Sequence, residues 1–161
     1  MRYSHEQLVD HYNKQPAKRM GSMVLLFSPE GDLLVTKPTY KQGWSLVGGT
    51  VDEGESPLRA AARETGEEVG LKLSLERFTF SGMRYAHPKE TMKDFIQIFF
   101  SVHLHPDELS LIKPRRREIS EFKFIALSQI KNYTDHPLNA GGRSSLESRH
   151  SDCLYGGRNS N

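Results

Sequence analysis

Three glutamates, Glu64, Glu67 and Glu68, stand three and four residues apart inside the segment GTVDEGESPLRAAARETGEEVGL, residues 49–71. On a helix that spacing makes the carboxylates surface neighbours. Like charges so placed weaken a bare helix by roughly a few tenths of a kcal/mol per pair. A hard divalent cation reverses the sign, because Mg²⁺ is held by one or two carboxylates together with waters and substrate phosphates. A fully solvated acidic face is the bland alternative, and the three residues alone do not decide between the two.

The chemistry needs a helix, and the segment spells one. Ser56 suits the N-cap, Pro57 the first helical position, and Gly70 the stop. Leu58, Ala61, Ala62, Thr65 and Val69 recur at helical spacing and predict one buried stripe. At about 100° per residue, the three glutamates are expected on the side away from that stripe. Gly48 and Gly49 form a glycine-rich turn just upstream, where the main chain can come close to a ligand.

The fixed positions run G-x5-E-x7-R-E-T-x-E-E-x-G-L, filled by Gly49, Glu55, Arg63, Glu64, Thr65, Glu67, Glu68, Gly70 and Leu71. This pattern resembles the Nudix box of the Nudix hydrolase superfamily over its whole length. Thr65 takes a slot that is usually aliphatic, and Val47, in the lead-in WSLVGG, stands where a proline is common. The resemblance implies the Nudix fold, an α/β (α+β) domain with a mixed β-sheet sandwiched between α-helices. It also implies a metal-dependent hydrolase that cleaves a phosphoanhydride bond in a nucleoside diphosphate linked to another moiety. That moiety is a nucleotide, a second nucleoside of a dinucleotide, or a sugar. The implied cofactor is Mg²⁺, with Mn²⁺ as a substitute. By slot, Glu67 and Glu68 are the principal metal ligands. Glu64 is either a third ligand or the group that deprotonates water, and the carbonyl of Gly48 or Gly49 adds a backbone oxygen. Glu55 and Arg63 are expected to form a structural ion pair holding the loop to the helix. A carboxylate from outside the box often completes such sites; Glu118 is preferred over Glu121. The alternative function is a non-catalytic Nudix domain that senses a nucleotide, but such domains usually lose box glutamates, and here all are kept.

Substrate contacts are read from residue type. Lys37, Tyr40 and Trp44 precede the glycine turn, and Arg84, Tyr85, His87 and Lys89 precede a strongly apolar run. They offer cations for phosphate and rings for stacking. Trp44 reads better as core, and His87 as an ordinary loop histidine. The run Arg115-Arg116-Arg117 reads as a solvated loop.

Length and composition set the frame. The chain has 161 residues, a formal net charge of +2 and one cysteine, Cys153. That length suits one domain. The nearly balanced charge argues against nucleic acid as partner, leaving a nucleotide-type small molecule and, open, a homodimer. A lone cysteine excludes an intramolecular disulfide framework and fits the cytoplasm. Neither a signal peptide nor a bilayer-spanning apolar run is visible, which argues against a membrane. Along the chain, Ser4-His5-Glu6-Gln7 is a capping box opening a short N-terminal helix. Strands are expected at 20–28 and 33–37 as a hairpin, at 44–47 into the glycine turn, within 73–86, at 94–104 and at 121–126. A loop is expected over 106–117 and a helix start at 128–133. Residues 1–138 read as the domain, and 139–161 as a polar tail.

Overall fold

The computed structural model describes residues 3–86 and 94–133. Six strands form one mixed sheet: β1 (Arg19–Phe27), β2 (Leu33–Pro38), β3 (Val47–Thr50), β4 (Thr79–Ala86), β5 (Phe95–His103) and β6 (Ile119–Ile125). Four α-helices are described: α1 (His5–Asn13), α2 (Pro57–Val69) and the single turns α3 (Pro106–Leu109) and α4 (Ile130–Tyr133). β1 is the axis of the sheet. On one side it runs parallel to β5, which pairs antiparallel with the edge strand β4. Its other side is shared by β3, opposite residues 21–24, and by β2, opposite Phe27; β6 then pairs antiparallel with β2.

β1 reads as a nearly continuous apolar run because both faces of the sheet are covered. Val24 and Leu26 join Val47, Ala61, Val69, Phe100 and Val102 in the core under α2. Leu25 joins Leu33, Val35, Leu46 and Ile125 in a second core on the opposite face, against which Met23, Trp44, Phe99 and Tyr133 pack. This is the mixed sheet between helices that the motif implied.

Two expectations need correction. The glycine segment is itself strand β3, and Ser45 makes only an isolated bridge to Thr36. The pairing of Gly48 and Gly49 with Met23 and Ser22 supplies the ladder that overrides the turn preference of glycine. The loop expected over 106–117 contains the helical turn α3, opened by Pro106 at its first position and Glu108 folding back on the His105 N–H. The N-terminal helix forms with its capping box, Gln7 N–H on Ser4 Oγ and Ser4 N–H on Gln7 Oε1, but none of its residues is buried.

The segment after β5 is fastened by Arg77, whose guanidinium binds both Glu108 oxygens at 2.9 and 3.0 Å. The Arg77 hydrogen bonds hold the Glu108 carboxyl down at about 2, against an ordinary value of 4.5. A depressed folded-state value means the pair stabilises fully above pH 4.5 and fades as the pH falls through about 2. Glu108→Gln should therefore cost about 1–3 kcal/mol at pH 7. The gap between mutant and wild type should narrow in urea melts below pH 4; an equal gap at every pH would show that packing carries the effect.

Candidate functional site

The site is built where α2 crosses β3. Ser56 Oγ accepts the Arg59 N–H at 3.2 Å and starts the helix, and Gly70, at φ 78°, ends it. The glycines let the helix sit close. A Cβ on Gly49 would run into the Glu64 carboxylate, and a Cβ on Gly48 into the Ser22 carbonyl. Glu64 thus lies against the main chain of β3, where a longer residue would displace it.

Arg63 organises the acidic side of the helix. Its Nε and Nη2 donate to the two Glu55 oxygens at 3.0 Å each, Nη1 to Glu64 at 2.8 Å and Glu67 at 3.2 Å, and Nη2 also to the Thr50 carbonyl at 3.0 Å. One guanidinium therefore ties the loop after β3 to α2 and holds two of the three glutamates in place. Hydrogen bonding to Arg63 pulls the Glu55 carboxyl below its usual range. Glu64 shifts the other way: burial raises it, Arg63 opposes, and Glu67 and Glu118 add to the rise.

Glu68 departs from expectation. Instead of facing away from the buried stripe, it is only 7% exposed, while Glu67 is exposed. The stripe is Ala60, Ala61, Thr65, Glu68 and Val69. Its carboxylate accepts the Gly48 N–H at 3.2 Å. Burial pushes the carboxyl up to about 7, with Glu64 and Glu118 adding and the Gly48 N–H and Lys41 opposing. A carboxylate buried beside other carboxylates is costly unless a cation joins it.

Glu118 reaches this neighbourhood because the chain before β6 is pinned to the end of α2. Lys113 N–H donates to the Val69 carbonyl at 2.9 Å and Arg115 N–H to the Glu68 carbonyl at 3.0 Å. Glu118 itself takes a hydrogen bond from Arg115 Nη1 at 3.2 Å. Glu121, the second choice, points to Lys37 at 3.7 Å. Tyr40 stands close enough to Glu68, Glu64 and Glu118 that they join burial in raising its hydroxyl. Lys37 instead lies by Glu121 and the Trp44 ring. Trp44 packs edge-on against Tyr133 with the Lys123 ammonium 4.0 Å from its centroid, a core position as read. Arg84 and Tyr85 lie on β4, across the sheet from α2's glutamates. His87, Lys89, Cys153 and the tail 139–161 fall outside the described residues.

Two residues here went unread in the sequence. Lys41 is a cation acting on Glu68, and Gln97 is a buried amide on β5 that binds Arg84. A polar residue at the centre of the apolar run 94–104 was the available hint for Gln97.

Among the described residues, no three His, Cys, Asp or Glu side chains converge tightly enough to cage an ion alone. Arg63 holds Glu64 and Glu67 toward itself. The donor set nonetheless suits a hard cation: all oxygen, and one buried carboxylate with a single hydrogen bond from the protein. Such a cation keeps most of its shell as water and phosphate.

A family model described as NUDIX domain matches residues 17–147. An RNA pyrophosphohydrolase from Psychrobacter sp. (strain PRwf-1) is 36% identical over 73 residues, 44% of this chain and 42% of the relative. The chain thus matches less than half the length of that curated relative. Among solved structures, a MutT NUDIX hydrolase from Burkholderia pseudomallei superposes with TM-score 0.62 at 22% identity, covering 82% of this chain and 98% of the other. The NUDIX domain of Shewanella oneidensis NrtR, in complex with ADP ribose, superposes with TM-score 0.64 at 13% identity, covering 82% and 89%. At these identities the two structures speak for the fold.

Proposed function

This chain belongs to the NUDIX domain family, and from that premise we propose that it is a divalent-metal-dependent hydrolase of a phosphoanhydride bond in a nucleoside diphosphate joined to another moiety. The observation that carries the reading is Glu68, a buried carboxylate beside Glu64 and within reach of Glu118's charge. Glu68 would hold the metal, with the Gly48 carbonyl and Glu118 as further oxygens and Glu67 at the exposed rim. When bound, the cation supplies phosphate-charge neutralisation and a water of lowered pKa.

The remaining work belongs to this chain. Arg63 fixes the Glu64 and Glu67 carboxylates and, through Glu55, the loop that carries β3 into α2. Glu64, half-buried and raised in basicity, is placed to take a proton from an attacking water. Lys41 and Tyr40 flank the acidic groups, where a diphosphate needs a cation and a hydroxyl donor. The RNA pyrophosphohydrolase similarity supports substrates with a diphosphate. No described helix is long and apolar enough to cross a membrane.

The test is a panel of nucleoside triphosphates, dinucleotide polyphosphates, nucleotide sugars and triphosphate-ended oligonucleotides, with Mg²⁺ and with Mn²⁺, reading released phosphate products. Single turnover in ¹⁸O-water should place the label on a phosphate product. Label on a sugar carbon, or turnover of monoesters alone, would sink the mechanism. Metal should also raise the melting temperature by mass action, by about 2.7 kcal/mol of stability at a hundredfold excess over Kd. A melt insensitive to millimolar Mg²⁺ and Mn²⁺, with no turnover across the panel, would favour a nucleotide-sensing domain.

A further inference from the structure

Away from the glutamates, one half-buried charged group, Arg84, has no counter-charge among the described residues. Arg84 Nε is enclosed and has no hydrogen-bond partner, alone among the buried side-chain nitrogens and oxygens of the described residues. Its Nη2 donates to Gln97 Oε1 at 2.5 Å, and Gln97 is 5% exposed. A neutral amide cannot offset a guanidinium. Desolvation acts against the charged form.

The register places this pair on a particular face. Arg84 is opposite Gln97, Gln97 opposite Gly21, and Gly21 opposite Thr50, so one row crosses the sheet from β4 to β3. The neighbouring row is Gly82, Phe99, Met23 and Gly48, and Phe99 and Met23 pack on the side away from α2. Gly48 is also the residue whose amide holds Glu68. The face that carries Arg84 is therefore continuous with the strand that carries the acidic site. Three strand spacings separate Arg84 from Thr50, about 14 Å across the sheet. At Gly21 the missing side chain leaves room for the Phe95 ring, and Arg19 lies 5.4 Å from that ring's centroid.

The unpartnered atom is a donor, Arg84 Nε, and the rest of the guanidinium and the Gln97 amide nitrogen are donors as well. A fork of donors around an uncompensated charge suits a group with several acceptor oxygens and negative charge. A neutral nucleobase would satisfy the hydrogen bonds and leave the charge. We infer that Arg84 and Gln97 form a phosphoryl-binding site for a second phosphate of the substrate, distinct from the anhydride that is cleaved. The inference rests on the proposed hydrolase reading for the identity of the ligand, and it selects substrates with phosphates at two separated positions, as in dinucleotides and oligonucleotide 5′ ends.

The experiment has two arms. In the first, ¹⁵N-labelled full chain in EDTA is titrated with inorganic phosphate while the arginine Nε–Hε signals are followed. The Arg84 signal, assigned by its loss in Arg84→Met, should shift to saturation. The shift should persist in Glu68→Gln and disappear in Gln97→Glu, which gives Arg84 an internal counter-charge and leaves the fold unburdened. In the second arm, Arg84→Met should raise KM roughly tenfold or more for substrates with a second phosphate, with kcat within about twofold. Arg84→Lys should recover part of the loss, and substrates lacking that phosphate should be unaffected. An Arg84 signal that ignores millimolar phosphate, or one that still responds in Gln97→Glu, would overturn the site. So would an equal KM change for both substrate classes. If no panel member is turned over, the hydrolase reading fails while the titration still decides the site.

Discussion

Glu68→Gln is expected to lower kcat by on the order of a hundredfold or more while raising the melting temperature of the metal-free protein. The two effects share one cause. The Glu68 carboxylate is enclosed at 7% exposure, accepts the Gly48 N–H, and faces the charges of Glu64 and Glu118. Glutamine keeps the shape and keeps an oxygen for the Gly48 N–H. It removes a buried charge whose neighbours repel it, so the fold should gain; a rise of about 2–8 °C matches roughly 1 kcal/mol. The same deletion removes the oxygen proposed to hold the cation, so function should collapse and the metal-induced stabilisation should vanish with it. Glu67→Gln should leave stability within about 0.5 kcal/mol, because that side chain is exposed and shares its Arg63 contact with Glu55 and Glu64. Parallel melts in EDTA and in Mg²⁺, with turnover of a panel substrate, check both halves. Near wild-type turnover of Glu68→Gln in saturating Mg²⁺ would remove Glu68 from the site. A lower melting temperature in EDTA would mean that the charge is already compensated within the protein.

The fold was legible because its signals were local and redundant. The caps at Ser56 and Gly70, the Ser4 box and the apolar run of β5 are each decided within a few residues, and tertiary packing agreed with them. The motif carried the family and, through it, the layer order. Three things were out of reach. Glu68 was assigned to the outer side because helical periodicity ranks residues by hydrophobicity, and a buried carboxylate breaks that ranking for chemical reasons. The glycines of β3 read as a turn, since pairing with β1 is a contact between distant residues. Gln97 escaped notice because its partner Arg84 is thirteen residues away and meets it only through strand register. Glu118 was chosen by its place before the last strand. What brings it to α2, the pinning of Lys113 and Arg115 to the helix's last carbonyls, has no sequence signature.

Gly48→Ala and Gly49→Ala are neighbours with opposite expected outcomes. Gly48 has φ +139°, a conformation side chains rarely adopt, and an added Cβ would overlap the Ser22 carbonyl and lie 2.8 Å from Met23 Cα. Both obstacles are backbone of the central strand β1, which cannot yield without opening the β1–β3 ladder. The expected cost is about 3 kcal/mol or more, a large part of the roughly 5–15 kcal/mol that holds a domain together. At Gly49 the obstacle is the Glu64 side chain, whose Cδ would stand 2.7 Å from the new carbon. A side chain can swing aside, so the fold should lose only about 1 kcal/mol. The swing takes Glu64 off its 2.8 Å bond to Arg63 Nη1 and away from Glu68's surroundings. Gly49→Ala should therefore melt close to wild type and still lose turnover by about ten- to a hundredfold. Gly48→Ala should melt at least about 6 °C lower. The pair is decisive because size and sequence position are matched and only the neighbouring atoms differ. Full turnover in Gly49→Ala would show that Glu64 needs no fixed place for the reaction, and the base would have to be sought elsewhere. A wild-type melt for Gly48→Ala would mean that β3 does not press on β1 as described.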